Sequence, residues 1–437
     1  MRATSLYAFA VHFASLFAES DEQKHALGVG SNSRGIGWLE AKSIPVPPPY
    51  PLDAGAEPGV LRAQVSTSAT ASPFASSPVV PLPLFLSLER YARLVDIAYC
   101  VGIMGSGISR PFSCISRCAD FPEIRLLSTW STGILTRDSC GYIAIDDSAR
   151  EIIVAFRGTY SIANMVADLS TIPQKYEPYD PGECGGRCDN SHNLSRNNCT
   201  NCTVHSGFLD SWKGTRHIVL PAVTEARKQS IKNSPVASAS TSDPAVPYRV
   251  HLLGHSLGGA LAALAALEMK AVLGWNDVVV TTFGEPRVGN GRLATYLESV
   301  FGLRDNSTAA RYRRVTHKDD PVPLLPLTDW GYSSHAGEVF IKKAELPPTP
   351  EDIILCIGRS DPECIAQDDD DDDDVDGDNG KNTKTTLTKR GINSPILRLG
   401  ELFYAHRDYF WRLGLCVPGS DPADWGRGHY TYTEDEL

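Results

Sequence analysis

The chain has 437 residues, of which 42% are hydrophobic and 21% are charged, and its formal net charge is −11. This composition is ample for a globular protein with one large core or two ordinary ones. The acidic balance, without a basic stripe that could neutralise phosphates, argues against a nucleic-acid partner.

The first residues predict a secretory signal peptide over 1–18. Met1 and Arg2 precede the apolar run SLYAFAVHFASLFA, and the polar segment ESDEQK follows it. The run is too short for a comfortable membrane span, and cleavage is expected after Ala18. We therefore expect a secreted, extracellular protein.

Residues 19–84 have the composition of a pro-segment or linker. They carry clusters of Pro, Ser, Ala and Gly such as IPVPPPYP and VVPLPLP, with almost no periodic apolar pattern. Such a composition cannot bury a core. From SLERYARLVDIAYC onward, apolar residues recur near helical spacing, so a folded domain is predicted over 85–437.

Three apolar, β-branched segments predict buried strands: EIIVAFRG (151–158), YRVHLLG (248–254) and DVVVTTFG (277–284). Helical stretches lie between and after them, and LGGALAALAALEMKAVL follows the second strand directly. Strands that alternate with helices indicate an α/β fold, with a mostly parallel sheet covered on both faces.

Two insertions interrupt this pattern. The first, from about residue 177 to 203, is rich in Cys, Asn and Gly, and the second, at about 366–392, contains seven consecutive aspartates, Asp368 to Asp374. Because like charges repel, the second is predicted to be a disordered, solvated loop. A calcium site is the weaker alternative, since no pattern of alternating ligands with a closing Glu follows. Lys389 and Arg390 form a candidate processing site.

The 11 cysteines all follow residue 99, and several form close pairs. In a cytosolic chain such pairs would suggest zinc, but behind a signal peptide disulfides are the better interpretation. Because the number is odd, at least one thiol has no partner within the chain, and Cys140 is the candidate since it lacks a near neighbour. Glycosylation is predicted at four sequons, although such triplets are also common by chance: Asn193, Asn198, Asn201 and Asn306.

The segment YRVHLLGHSLGGALAALAAL places a G-x-S-x-G pentad between an apolar strand and an Ala/Leu-rich helix. In this context Ser256 is predicted to be a nucleophile on a strained strand-to-helix turn, which requires glycine at 254 and 258 for close packing. The backbone N–H of Leu257 would then point toward a developing oxyanion. The plainer alternative is an ordinary Gly-Ser turn that opens a helix.

A serine nucleophile needs a base that is oriented by a carboxylate, in the chain order Ser, then Asp or Glu, then His. Asp319 and Asp320 follow the predicted strand RYRRVTH, and Asp320, at the start of a Pro-rich exit, is the predicted acid. The candidate bases are His335, His406 and His429. His335 lies close to the acid in sequence, so His406 is the predicted base.

The chain resembles class 3, filamentous-fungal-type lipases in an ordered set of segments over about residues 88–417: AFRGT, VHSGFLDSW, GHSLGG, FGEPRVGN, THKDDPVPLLP, SHAGEVF and HRDYFWRLGLC. The earlier YARLVDIAYCVG with PFSCISRCADFP looks most like the secreted triacylglycerol lipases of yeasts and ascomycetes. The resemblance implies an α/β-hydrolase fold with a triad of Ser256, Asp320 and His406 and no cofactor or metal. It also implies an oxyanion hole formed by Leu257 and Thr159, whose N–H and hydroxyl would both donate.

The same resemblance implies a hinged helical lid after Thr159. There TYSIANMVADLSTIP places apolar residues at helical positions i, i+3, i+4 and i+7, namely Ile162, Met165, Val166 and Leu169. A lid that covers the cleft in water and turns its apolar face onto lipid would explain this stripe, and a core-packing helix is the plainer alternative.

The resemblance further implies the disulfide pairing. Cys100 would pair with Cys416, and three short loops would be closed by Cys114–Cys118, Cys199–Cys202 and Cys356–Cys364. Cys184 and Cys188 lie outside the family pattern, and a bond between them would leave Cys140 free.

Together these features predict a secreted serine hydrolase that cleaves triacylglycerol esters at a lipid–water interface through an acyl-enzyme, as a monomer without an obligate protein partner. One alternative is a feruloyl esterase or another soluble-ester esterase on the same fold. Glu285, where the family often carries Gln, leaves that alternative open, whereas the apolar lid stripe favours acylglycerols. The other alternative is a non-catalytic lipid-binding glycoprotein, which would be expected to lack a triad residue.

Overall fold

The computed structural model describes residues 78–102, 107–133, 139–159, 173–179, 199–232, 246–303, 309–365, 404–418 and 421–422. Within these ranges the α-helices are α1 (Leu82–Ile97), α2 (Ser206–Lys232), α3 (Leu257–Leu267) and α4 (Gly291–Phe301). The strands are β1 (Ile124–Ser131), β2 (Cys140–Asp146), β3 (Glu151–Phe156), β4 (Pro173–Lys175), β5 (Thr203–His205), β6 (Arg249–His255), β7 (Val278–Phe283), β8 (Tyr312–His317), β9 (Glu338–Ile341) and β10 (Ile353–Leu355). A π-helical turn, Glu268–Val272, continues α3.

One eight-stranded sheet organises the domain, in the order β1-β2-β3-β6-β7-β8-β9-β10. Neighbouring strands from β3 to β9 are parallel, whereas β1–β2, β2–β3 and β9–β10 are antiparallel. The predicted α/β class with a mostly parallel sheet is confirmed, and the antiparallel margins are an addition to it. β4 and β5 form a separate two-stranded antiparallel sheet.

The central strands are buried on both faces, which explains their continuous apolar sequences. In β3, Ile152 and Val154 pack into one hydrophobic cluster, whereas Ile153 and Ala155 pack into the other. The first cluster also contains residues of α2, α3 and α4, and the second contains residues of α1. Helix α3 is buried along its whole length, as a helix that is apolar all round should be.

Residues 78–84, which composition assigned to the linker, belong to the folded domain. Val80 is buried, and its N–H donates to the carbonyl of Ile353 in β10 at 3.0 Å. Helix α1 begins directly after Pro81, with Pro83 in its first turn, where a missing N–H costs no intrahelical hydrogen bond. The boundary predicted after residue 84 is therefore too late, because these prolines mark a helix start.

Four disulfides lie in the described residues: Cys100–Cys416, Cys114–Cys118, Cys199–Cys202 and Cys356–Cys364. They are the four pairs that the resemblance implied. The first joins positions 316 residues apart and ties the turn after α1 to the segment 404–418. Cys140 is buried in β2 without a disulfide.

Several predicted features fall outside the described residues. They are the lid positions Ile162, Met165, Val166 and Leu169, the cysteines Cys184 and Cys188, the sequons at Asn193, Asn198 and Asn306, the base candidate His429, and the run from Asp368 to Asp374. Asn201 is described and exposed, and its glycosylation stays a prediction. A search of the described helices found none with the length and apolar character needed to span a bilayer.

Candidate active site

Ser256 forms the turn between β6 and α3. Its backbone has φ 59° and ψ −132°, a combination that residues other than glycine rarely adopt and that costs about 1–3 kcal/mol. The Ser256 N–H donates to the carbonyl of Phe283 at 2.9 Å, and the Gly259 N–H donates to the carbonyl of Ser256 at 2.8 Å. These bonds hold the strained turn in place, so it is not an ordinary helix start.

Backbone contacts explain the glycines on either side of this serine. A Cβ at Gly254 would lie 2.1 Å from the carbonyl oxygen of Gly258. A Cβ at Gly258 would lie 2.3 Å from the carbonyl oxygen of Phe156, at the end of β3. Because both obstacles are main-chain atoms, no side-chain movement could admit a larger residue.

The segment after β3 runs directly beside the serine. A Cβ on Gly158 would lie 2.9 Å from the Cβ of Ser256 and 2.7 Å from the carbonyl oxygen of His255. Thr159 is the next residue along the chain. On the other side, Leu257 is the first residue of α3, where backbone N–H groups lack intrahelical acceptors. Gly158 and Leu257 thus flank Ser256, and Thr159 follows Gly158 in the chain.

Asp320 and His406 form a buried pair. Nδ1 of His406 lies 3.0 Å from both carboxylate oxygens of Asp320. One of these oxygens also accepts from the N–H of Val322 at 2.9 Å, and the other accepts from the hydroxyl of Tyr409 at 2.5 Å. Burial disfavours the charged carboxylate, but His406 and these two donors outweigh burial and lower the pKa of Asp320. The carboxylate is therefore ionised and fixes the orientation of the imidazole.

The second ring nitrogen of His406 is available for chemistry. Nε2 is buried and has no hydrogen-bond partner among the described residues. The ring stacks on that of His255, the residue before Ser256, with centroids 4.6 Å apart and planes at 28°. With Nδ1 donating to a carboxylate, Nε2 of the neutral ring is an acceptor. A general base requires such a nitrogen close to the hydroxyl that it deprotonates.

The competing acid and base candidates are placed elsewhere. Asp319 is exposed at the surface, in contrast to the buried Asp320. Nδ1 of His335 lies 2.7 Å from the carbonyl oxygen of Ala336, and its Nε2 lies 3.0 Å from Oε1 of Glu285. Both nitrogens of His335 are thus occupied by partners other than Asp320.

Glu285 belongs to a buried network. Its side chain is fully buried, and Oε2 accepts from the hydroxyls of Thr282 at 2.6 Å and Tyr312 at 2.8 Å. Oε1 faces His335, as described above. With both oxygens engaged inside the protein, Glu285 has no group left to select an ester substrate.

Two contacts of the site were not singled out from the sequence. Tyr409, which donates to Asp320, lies three residues after His406 in the segment HRDYFW, and His255 lies inside GHSLGG. The sequence indicated these two residues only by placing them inside motifs of the site. A motif does not say which side chains its aromatic residues contact. Across the described part of the chain, no group of three or more His, Cys, Asp or Glu side chains has the arrangement of a metal site.

Comparison with known proteins gives consistent matches. A family model described as "Lipase (class 3)" matches residues 153–330. The secreted mono- and diacylglycerol lipase 2 of Gibberella zeae is 51% identical over 381 residues, which cover 82% of this chain and 88% of that protein. Lipase A of Sodiomyces alcalophilus is 49% identical over 80% of this chain and 86% of its own. The crystal structure of Lip2 lipase from Yarrowia lipolytica matches with a TM-score of 0.58 and 27% identity, covering 78% of this chain and 98% of that one.

Proposed function

Because the chain belongs to the class 3 lipase family, whose fold is that of α/β hydrolases, we propose that it hydrolyses acylglycerol esters with Ser256 as nucleophile, His406 as base and Asp320 as the orienting acid. The buried pair of Asp320 and His406 carries this proposal. Nε2 of His406 has no partner in the described ranges, and the His406 ring stacks on that of His255, beside the strained turn at Ser256.

The proposed reaction is a two-step acyl transfer. Oγ of Ser256 attacks the ester carbonyl carbon while Nε2 of His406 takes the hydroxyl proton. Asp320 stabilises the resulting imidazolium, and Thr159 and Leu257 donate hydrogen bonds to the oxyanion. The C–O bond then breaks and the departing alcohol takes the proton from His406. Water repeats the sequence on the acyl-enzyme, releasing the fatty acid and restoring Ser256.

The choice of acylglycerols rests on the relatives and on Glu285. The Gibberella zeae relative is named for mono- and diacylglycerols, whereas the sequence resemblance pointed to triacylglycerols, so all three glycerides belong in the test. The feruloyl esterase alternative loses its specific support because Glu285 is buried in a network of its own. A non-catalytic lipid-binding protein would have no use for a paired acid and base beside a strained serine.

The proposal includes the setting in which the reaction occurs. One close relative is named as secreted, in agreement with a leader at 1–18. The proposal extends to a lipid–water interface as the setting of the reaction, to the segment after Thr159 as the lid and to the monomer as the working unit.

The test is hydrolysis of emulsified tri-, di- and monoacylglycerols of one chain length, beside methyl ferulate and a soluble short-chain ester. Ser256→Ala serves as the blank, after circular dichroism has shown that it is folded. We expect hydrolysis of the emulsified glycerides and a loss of about 10⁴-fold or more in the blank. Activity confined to methyl ferulate or the soluble ester would overturn the substrate class. Ordinary activity in Ser256→Ala would overturn the nucleophile.

A further inference from the structure

A chain of two hydrogen bonds runs from Tyr99 to the main chain of His406. The hydroxyl of Tyr99 lies 2.6 Å from Nδ1 of His255, and Nε2 of His255 lies 2.8 Å from the carbonyl oxygen of His406. A carbonyl oxygen only accepts, so Nε2 of His255 carries a hydrogen. In the neutral ring Nδ1 is then the acceptor, and the Tyr99 hydroxyl donates to it. The two contacts therefore select one tautomer of His255.

A second proton on His255 would turn Nδ1 into a donor, and the hydroxyl of Tyr99 would have to give up its own hydrogen bond to that nitrogen. Tyr99 and His255 are each 2% exposed and His406 is fully buried, so water cannot easily stabilise an extra charge there. The His255 ring lies 4.6 Å from the His406 ring. A protonated His255 would therefore repel the imidazolium that forms when His406 accepts the serine proton.

The surroundings of His255 agree with a neutral ring. Burial, followed by the positive charge that His406 can carry, lowers the pKa of His255 to about 3. The charged or titratable groups that face it from the packed elements are Tyr99, Asp320, His406, Arg407 and Tyr409. The attraction of Asp320 and the bond to the His406 carbonyl oppose the shift without cancelling it.

We propose that His255 and Tyr99 are positioning residues for the catalytic base. His255 holds the main chain of His406 against the serine turn and keeps an uncharged ring beside the forming imidazolium, while Tyr99 fixes the tautomer that does both. The Cys100–Cys416 disulfide supports this arrangement, because it ties the residue after Tyr99 to the segment that carries His406. The inference rests on the proposed function, which makes His406 the base.

The test compares Tyr99→Phe, His255→Leu and His255→Gln, together with the double variant that combines Tyr99→Phe and His255→Gln. Tyr142→Phe is the matched control, since its buried hydroxyl donates at 2.8 Å to the carbonyl of Leu94 in α1. Hydrolysis of a soluble p-nitrophenyl ester is measured across the pH range. Each rate is divided by the concentration of active sites, titrated with a phosphonate ester that modifies the nucleophilic serine.

We expect His255→Leu to lower kcat about five- to tenfold with KM unchanged, because a loss of that size corresponds to the free energy of one buried hydrogen bond. Glutamine keeps an amide donor near the position of Nε2, so His255→Gln should recover most of the loss. Tyr99→Phe frees Nδ1 to bind a proton, so its kcat/KM should begin to fall at higher pH than in the parent. The double variant lacks the imidazole that would bind this proton, so its kcat/KM should not show the additional fall at higher pH.

Two results would overturn the inference. One is a parental kcat per titrated site in His255→Leu. The other is a pH profile of Tyr99→Phe that superimposes on that of Tyr142→Phe. A parent protein that neither reacts with the phosphonate nor hydrolyses the ester would overturn the proposed function, and this inference with it.

Discussion

A comparison of the stabilities of Ser256→Ala and Ser256→Gly should show how much backbone strain the turn at Ser256 stores. Both Ser256→Ala and Ser256→Gly lack the hydroxyl of the proposed nucleophile and should be inactive on emulsified glycerides. They differ in the backbone, because φ 59° and ψ −132° strain any residue with a Cβ by about 1–3 kcal/mol but do not strain glycine.

The matched control is Ala260→Gly in the buried helix α3. There the exchange should destabilise the protein by about 1 kcal/mol through helix propensity and by roughly 0.8 kcal/mol through the lost buried methyl. At position 256, replacing alanine by glycine costs a similar amount of stability, but it also releases about 2 kcal/mol of backbone strain. The two effects should cancel. Ser256→Gly is therefore expected to be at least as stable as Ser256→Ala, while Ala260→Gly loses about 2 kcal/mol.

The assay is equilibrium urea unfolding with the disulfides intact, followed by tryptophan fluorescence. Equal slopes against urea would show that the variants expose similar surface on unfolding. If glycine costs as much relative to alanine at position 256 as it does at position 260, the turn stores no strain and the reasoning fails.

Four further predictions concern the site and its surroundings. Asp320→Asn should lower kcat about 10⁴-fold with little change in KM, and a loss below tenfold in steady-state assays would remove Asp320 from the triad. Gly284→Ala should inactivate and destabilise the protein, because its Cβ would lie 2.7 Å from Cε1 of His406 at a residue with φ 58°; activity assays and urea unfolding check both effects, and a stable, active variant would contradict the packing. His255 binds a proton near its ordinary pKa when unfolded but only near pH 3 when folded, so its contribution to stability is complete above about pH 6.5 and is lost as the pH falls toward 3. His255→Gln should then reduce the slope of unfolding free energy against pH by about 1.4 kcal/mol per unit in that window, and an unchanged slope would argue against a neutral buried ring. The Cys140 thiol, buried with its Sγ 3.2 Å from Oγ of Ser131, should react with a maleimide only after unfolding, and mass spectrometry showing rapid labelling of the native protein would contradict its burial.

The elements that could be predicted from the sequence are those at the centre of the sheet. β3 and β7 are buried throughout and β6 is buried from Val250 onward, and burial on both faces produces a continuous apolar run that is easy to recognise. β1 was missed because its residues alternate irregularly between buried and exposed, with a shift of register between Leu126 and Ser128. β10 was missed because it has only three residues, and so short a strand has no period of its own.

The candidate site shows the same division. Ser256, Asp320 and His406 could be proposed because strand ends and chain order leave few alternatives for a serine hydrolase. Their supporting contacts could not, since Tyr99 lies 156 residues from His255 and Tyr409 lies 89 residues from Asp320. A single sequence carries no signal for which buried hydroxyl meets which distant ring or carboxylate, because that depends on how helices and loops pack.

The Cys100–Cys416 disulfide changes what a break in the backbone would do to this protein. The segment with the aspartate run and the dibasic pair at Lys389 lies between Asp320 and His406 in the chain. A protease that cut at this pair would place the proposed nucleophile and acid on one chain and the proposed base on another. The smaller fragment would nevertheless stay attached, since Cys416 lies on it and Cys100 on the larger one. A two-chain form of the protein would therefore still hold the three residues of the proposed triad in one disulfide-linked molecule.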